Sequence, residues 1–171
     1  PAEIRAPVGT LAGVSSFQLQ FAAHHVHTPG DKVDVLVAMN PAALKANVAD
    51  LRSGGVLIVD TADFTARNLA KVGYEEDPLT DGSLDDFQVH AFDLSALAVG
   101  AVSELGLNRR EALRTKNMFA LGLLDWLYTR PEVVTMNFLE RKFADQPAML
   151  AANEAALKAG FAFGETSELF H

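Results

Sequence analysis

The run Val33-Asp34-Val35-Leu36-Val37-Ala38-Met39 constrains this chain more than any other stretch. It is apolar at odd and even positions alike, so a strand formed here presents carbon to both of its faces. Central strands of a parallel sheet covered by helices have this pattern. Asn40-Pro41 follows at once. An Asn side chain accepts from the open N–H groups of a first helical turn, and Pro loses nothing at the next position, where an N–H has no partner. Strand running straight into helix is the repeating unit of a parallel α/β fold.

The same pattern recurs downstream. The helix opened by Asn40 is expected to reach about Leu51 and stop at Ser53-Gly54-Gly55, with Val56-Leu57-Ile58-Val59-Asp60 as a second buried strand. A helix from about Asp63 to Val72 ends at Gly73, Asp77-Pro78 and Asp81-Gly82 mark a loop, and Phe87 to Phe92 reads as another strand. Upstream, Phe17, Leu19 and Phe21 alternate with Gln18 and Gln20, which predicts a strand over 16–21 with one face on a core.

After Phe92 the period turns helical. Leu94, Leu97, Ala98, Ala101, Val102 and Leu105 fall on one stripe, closed by Gly106. Arg110 to Tyr128 predicts a longer helix, deeply buried from Met118 onward. Pro131 and Pro147 open two more, ending near Phe143 and Gly160. The expected architecture is α/β: three layers, a mostly parallel sheet with helices on both faces, and a helix-rich C-terminal half, all in a single domain over 1–171.

Composition removes several function classes. There is no cysteine, so the chain holds neither a disulfide nor a thiolate-bound iron–sulfur cluster or zinc. The net charge of -8 disfavours nucleic acid as a partner. No apolar run approaches membrane-spanning length and no signal peptide opens the sequence, so no membrane is expected and the cytoplasm is the expected compartment.

Few residues stand out as chemical candidates. Ligands of open α/β sheets lie beyond the carboxyl ends of the strands. Two loops qualify, Met39-Asn40-Pro41-Ala42 and Asp60-Thr61-Ala62-Asp63, each leading to a helix N-terminus that favours an anion. For Asn40 a plain helix cap outweighs a ligand contact. Asp60 ends a strand as a ribose-binding acid does, but no glycine-rich loop precedes it at the required distance, which argues against a nicotinamide site. His24, His25 and His27 sit in a turn with no carboxylate at ligand spacing except Asp31, so a solvated turn outweighs a metal site. Ser15 and Ser16 lack the glycine elbow of a serine nucleophile. Arg5, in a Pro- and Gly-containing stretch, either holds a carboxylate or phosphate or pairs internally with Glu3. Asn117 shares a helical face with Leu113, Ala120, Leu121 and Leu124, which predicts a buried amide that ties the helix to a loop or meets a ligand. No acid–base pair emerges, so the residues describe a domain that binds and positions, without a catalytic set of its own.

Several segments, in order along the chain, carry a family likeness: Pro1-Ala2-Glu3-Ile4-Arg5 with Gly13-Val14-Ser15-Ser16-Phe17-Gln18; Val33 to Leu44; Gly54-Gly55-Val56-Leu57-Ile58; Arg67-Asn68-Leu69; Lys116-Asn117-Met118-Phe119-Ala120-Leu121-Gly122; and Ala152-Asn153 to Gly160 with Gly164-Glu165-Thr166. Together they resemble the gamma-type domain of 2-oxoacid:ferredoxin oxidoreductases, most closely that at the start of the large (alpha) subunit of the 2-oxoglutarate enzymes.

The resemblance implies a reaction in which 2-oxoglutarate, CoA and oxidised ferredoxin give succinyl-CoA, CO2 and reduced ferredoxin. It implies thiamine diphosphate, magnesium and a 4Fe-4S cluster in other domains or subunits. The implied partners are the remaining domains of the large subunit, a thiamine diphosphate-binding beta subunit and ferredoxin. It points to Arg5, Asn40, Pro41 and Asn117 as the residues that help receive CoA, with no catalytic or metal-binding residue here. Family members open with a strand, glycine-rich loop and helix ahead of the segment that starts at Pro1; lacking these, the chain reads as a fragment short of one strand. A stand-alone CoA- or nucleotide-binding module without a redox role is the alternative.

Overall fold

The computed structural model describes residues 3–5, 14–22, 25, 30 and 32–167, with the backbone alone at 3–5. The chain divides into two compact units, Pro1–Phe92 and Asp93–His171. The first holds the sheet and the second is helical, so the expected α/β class with a helix-rich C-terminal half is observed.

In the first unit, β1 (Glu3–Arg5) and β2 (Ser16–Gln18) form an antiparallel ribbon. β3 (Val33–Ala38), β4 (Leu51–Asp60) and β5 (Gln88–Phe92) form a parallel sheet in that spatial order. α1 (Pro41–Asn47) joins β3 to β4, and α2 (Ala66–Lys71) lies between β4 and β5 in the chain. Leu36, Ala38, Leu57 and Val59 share one sheet face, by the two-residue period and the pairings Leu36↔Leu57 and Ala38↔Val59. They pack with Leu44 of α1, Leu51 and Leu84, flanked by Phe64, Leu79 and Phe87. Ala38, Leu44, Leu57 and Val59 are all fully enclosed, and burying a Leu or Val stabilises by about 1.5–3 kcal/mol each.

Three expectations change here. β4 is the middle strand, and β3 lies at an edge of the sheet among the described residues. β3 is apolar on both faces without being central, and Val35 and Val37 are only half-buried. The helix after Asn40 ends early, at Asn47, and β4 already begins at Leu51. Arg52-Ser53-Gly54-Gly55 do not stop a helix; they bow out of β4, because Val33 pairs with Leu51 and Val35 with Val56. Gly54 takes a φ of +68°, open to glycine without strain. The bow is tied across to the next strand: Gly54 N–H donates to Asp86 O at 2.8 Å, Ser53 Oγ to Asp86 Oδ1 at 2.8 Å, and Gln88 Nε2 to Gly54 O at 3.0 Å. Finally, β2 stops at Gln18, and Phe17, Leu19 and Phe21 are 71%, 53% and 46% exposed, so their alternation is not buried among the described residues.

The second unit contains α3 (Leu94–Ala101), α4 (Arg109–Arg114), α5 (Lys116–Leu127), α6 (Glu132–Lys142) and α7 (Pro147–Thr166). The helix expected over Arg110 to Tyr128 is two helices, broken at Thr115, whose buried hydroxyl turns back to Ala112 O at 2.7 Å. α4 starts with a capping box: Asn108 Oδ1 accepts from Glu111 N–H at 3.0 Å and Glu111 Oε2 from Asn108 N–H at 3.1 Å. α7 passes through Gly160 to Thr166, because that glycine is where α5 crosses. A Cβ on Gly160 would lie 2.0 Å from Phe119 O. Phe119 and Phe163 close the crossing, with ring centroids 5.8 Å apart.

Candidate functional site

The two loops singled out from sequence lie at the same end of the sheet, since Ala38 pairs with Val59 in parallel register. Their polar groups are spent on local structure. Asn40 is extended (φ -169°) and its Oδ1 accepts from Ala43 N–H at 2.8 Å, which makes it the N-cap of α1. Pro41 is buried at the first helical position and offers no donor. Of the first three helical residues, that leaves the Ala42 N–H as the one donor unengaged among the described residues. A single N–H is far short of the cradle that a phosphate needs.

Asp60 closes β4, fully buried, and its Oδ1 accepts from Ala62 N–H at 3.2 Å. Thr65 Oγ1 then caps α2 through Asn68 N–H at 3.3 Å, and Asn68 Nδ2 reaches Asp63 O at 3.0 Å. Gly73, at φ +76°, ends α2: Tyr74 N–H bonds Leu69 O and Gly73 N–H bonds Ala70 O, both at 3.1 Å.

Arg5 lies in β1 opposite Ser16. Asn117 belongs to the second unit and corrects an expectation, for it is exposed. Phe119, Ala120, Gly122, Leu123 and Asp125 form the buried side of α5, whereas Asn117 shares the other side with the half-buried Leu121 and Leu124. His24 and His27 lie outside the described residues, and His25 is exposed. Among the described residues no three His, Asp or Glu side chains gather as metal ligands, and no helix is long and apolar enough to cross a membrane.

Sequence reasoning missed three features. His90 on β5 pairs with Ile58 on the face that also carries Asp60; its Nε2 is closed off from solvent, and burial holds the imidazole pKa below its ordinary value. A groove of about 320 Å³ runs between Lys45 and Val48 on one side and Tyr74, Ser83 and Phe87 on the other. Its lysine is committed, bonded to Gly73 O at 2.7 Å and lying 4.7 Å from the Tyr74 ring centroid. Burial first, and the nearby charge of Asp81 second, raise the Tyr74 hydroxyl pKa above its usual value. The third feature is legible by counting. Residues 72–108 hold eight Asp and Glu and no Lys or Arg, so they carry the whole excess charge; the other fourteen acids balance fourteen Lys and Arg. Four cations follow immediately in Arg109, Arg110, Arg114 and Lys116, the first three exposed.

A parallel sheet whose loop polar groups serve as caps, followed in the chain by a bundle of glycine-packed helices, defines an α/β protein with a helix-rich C-terminal half. Residues 2–163 match the family described as Pyruvate ferredoxin/flavodoxin oxidoreductase, and the chain belongs to that family. Within it, the chain is 54% identical over 170 residues to the 2-oxoglutarate oxidoreductase subunit KorA of Mycobacterium tuberculosis (strain ATCC 25618 / H37Rv). That alignment covers 99% of this chain and 26% of the relative, so the chain spans about a quarter of the relative's length. Among solved structures it is similar to the 2-oxoglutarate:ferredoxin oxidoreductase from Magnetococcus marinus, determined with 2-oxoglutarate, coenzyme A and succinyl-CoA bound. The TM-score is 0.58 at 23% identity, over 84% of this chain and 22% of that one, a likeness of fold alone.

Proposed function

We propose that this chain is the gamma-type domain of a 2-oxoglutarate:ferredoxin oxidoreductase, inactive alone and working in a complex that makes succinyl-CoA, CO2 and reduced ferredoxin from 2-oxoglutarate, CoA and oxidised ferredoxin. The observation that carries this reading is the 54% identity along 99% of the chain to a 2-oxoglutarate oxidoreductase subunit. Both units belong to that one gamma-type domain. The partners are the remaining domains of the large subunit, a thiamine diphosphate-binding beta subunit and ferredoxin, in the cytoplasm.

The role fits the chemistry of the residues. Electron transfer through a 4Fe-4S cluster needs thiolates, and the sequence has none. Thiamine diphosphate with magnesium would supply the carbon–carbon cleavage from another subunit. What this chain offers is reception and support. CoA brings several phosphate charges, which the acid-rich stretch 72–108 repels and the cationic run ending at Lys116 attracts. Asn117 is exposed directly after that run, and its amide has the donor and acceptor that a polar group of the ligand would use. Arg5 has the planar fork suited to phosphate, and the Asn40-Pro41 turn lies at the end of the sheet where ligands of such folds are received.

The test is to purify the intact complex and follow CoA-dependent ferredoxin reduction with 2-oxoglutarate, pyruvate and branched 2-oxoacids. A clear preference for 2-oxoglutarate is expected, and Arg5→Ala should raise the CoA concentration required. A complex that binds CoA yet reduces ferredoxin with no 2-oxoacid would replace this reading with a CoA- or nucleotide-binding module.

A further inference from the structure

Helix α6 sets three large apolar side chains in water. Val133, Val134 and Phe138 are 58%, 56% and 48% exposed. The opposite side of the helix is anchored, with Leu139 fully buried and Thr135 Oγ1 donating to the buried Asp125 carboxylate at 3.0 Å. Val134 and Phe138 are one turn apart on one face, with Val133 beside them. Exposed valines are a poor choice for a solvated helix, since the branched side chain lowers helix propensity and gains no burial in return. A cluster of this kind marks a contact surface.

The face has a cationic end. Lys142 Nζ lies 5.4 Å from the Phe138 ring centroid, and Arg141 Nε bonds only its own helix, at Asn137 O, 3.2 Å. Neither cation has an ion-pair partner among the described residues. The matching surface is therefore apolar in the middle, with carboxylates where α6 ends.

Resting on the function proposed above, we propose that this face of α6 seats the remaining domains of the large subunit, joined to it in one polypeptide. Two arguments select that occupant. The chain corresponds to 26% of one relative and 22% of the other, so most of each large chain is protein that must pack somewhere. The patch is also small, well short of the roughly 20–30 residues a side used by free-standing complexes. A tethered neighbour needs far less, because the linkage gives it a high effective concentration.

The experiment uses the intact oxidoreductase, with Leu105, 43% exposed and outside this face, as the internal reference. Hydroxyl-radical oxidation, normalised for intrinsic reactivity, should find Phe138 protected about fivefold relative to Leu105, as its exposure falls to that of an interface core. Zero-length carboxyl–amine coupling should join Lys142 to Asp or Glu of the remaining large-subunit domains. Val134→Glu with Phe138→Glu should loosen those domains, seen as loss of that protease resistance which holds them to this one. Phe138 oxidised as fast as Leu105, Lys142 coupled to a second copy of this domain or to the other subunit, or the double variant as protease-resistant as the parent would each overturn the proposal. Ferredoxin reduction separates the two readings: activity with an unprotected α6 sinks only the docking face, and a protected α6 in a complex without activity sinks only the function.

Discussion

Gly122 on α5 and Gly160 on α7 make one reciprocal contact: a methyl on Gly122 would lie 2.0 Å from Leu157 O, and a methyl on Gly160 would lie 2.0 Å from Phe119 O. Each helix backbone occupies the space where the other would need a side chain. Backbone cannot rotate aside as a side chain can, so the two helix axes must separate to admit either methyl. Gly164 faces a softer neighbour, with the Trp126 ring 2.5 Å from the same construction.

This geometry orders three alanine substitutions. Alanine normally stabilises a helix over glycine by about 1 kcal/mol. Gly122→Ala and Gly160→Ala should nevertheless destabilise by about 3 kcal/mol or more, at the upper end of overpacking costs. Gly164→Ala should cost about 1 kcal/mol, because the indole can shift. Urea unfolding followed by the fluorescence of Trp126, the only tryptophan, reads all three. Equal costs at the three positions would mean that backbone contact does not decide the crossing.

The buried carboxylate of Asp125 should matter more than its cation. It is 4% exposed, accepts from Thr135 Oγ1 at 3.0 Å, and lies 3.8 Å from the half-exposed Arg130 Nε. Asp125→Ala strips the acceptor from a partly buried hydroxyl and should cost about 1–3 kcal/mol. Arg130→Ala removes a screened surface charge and should cost under about 1 kcal/mol. Thermal unfolding of both variants checks the ranking, and a larger loss for Arg130→Ala would reverse the assignment.

These contacts show where sequence reading stops. The N-cap at Asn40 was legible because capping is local: the acceptor and the N–H it satisfies are three residues apart. The position of β3 in the sheet was not, since apolar faces report what covers a strand and say nothing of its neighbours. Gly54-Gly55 misled because glycine marks a helix end and a bulge equally well, and the partner that decides between them, Asp86, is 32 residues away from Gly54. Asn117 misled because the leucines on its face, Leu121 and Leu124, are only half-buried, while the core side of α5 is the one that carries Phe119 and Leu123. The glycines of α5 and α7 stand in the sequence, but their meaning needs both helices at once.

His90 gives the sheet a pH dependence of definite sign. Burial lowers its folded-state pKa below the ordinary 6.5. Above pH 6.5 both states carry a neutral imidazole and no term arises. As pH falls below 6.5 the unfolded chain takes up the proton first, so stability falls until the folded-state pKa is passed. Protection factors of the amides of β4 and β5, which factor out the slowing of base-catalysed exchange in acid, should therefore fall from pH 7 to pH 5.5, and His90→Phe should remove His90's share of that change. A slope unaltered by the substitution would assign it to other groups.

Asn40→Asp separates cap from ligand contact at the end of the sheet. Asp caps a helix as well as Asn, and its charge at an N-terminus adds about 0.3–1 kcal/mol of favourable dipole interaction. The fold should be as stable as the parent or slightly more so, whereas Asn40→Ala should lose about 1 kcal/mol with the bond to Ala43 N–H. The same charge repels a phosphate. If CoA is received at this turn, the intact Asn40→Asp complex should need several times more CoA for half-maximal ferredoxin reduction, at unchanged thermal stability and with unchanged dependence on 2-oxoglutarate. An unaltered CoA requirement would leave Asn40 as a cap and nothing more.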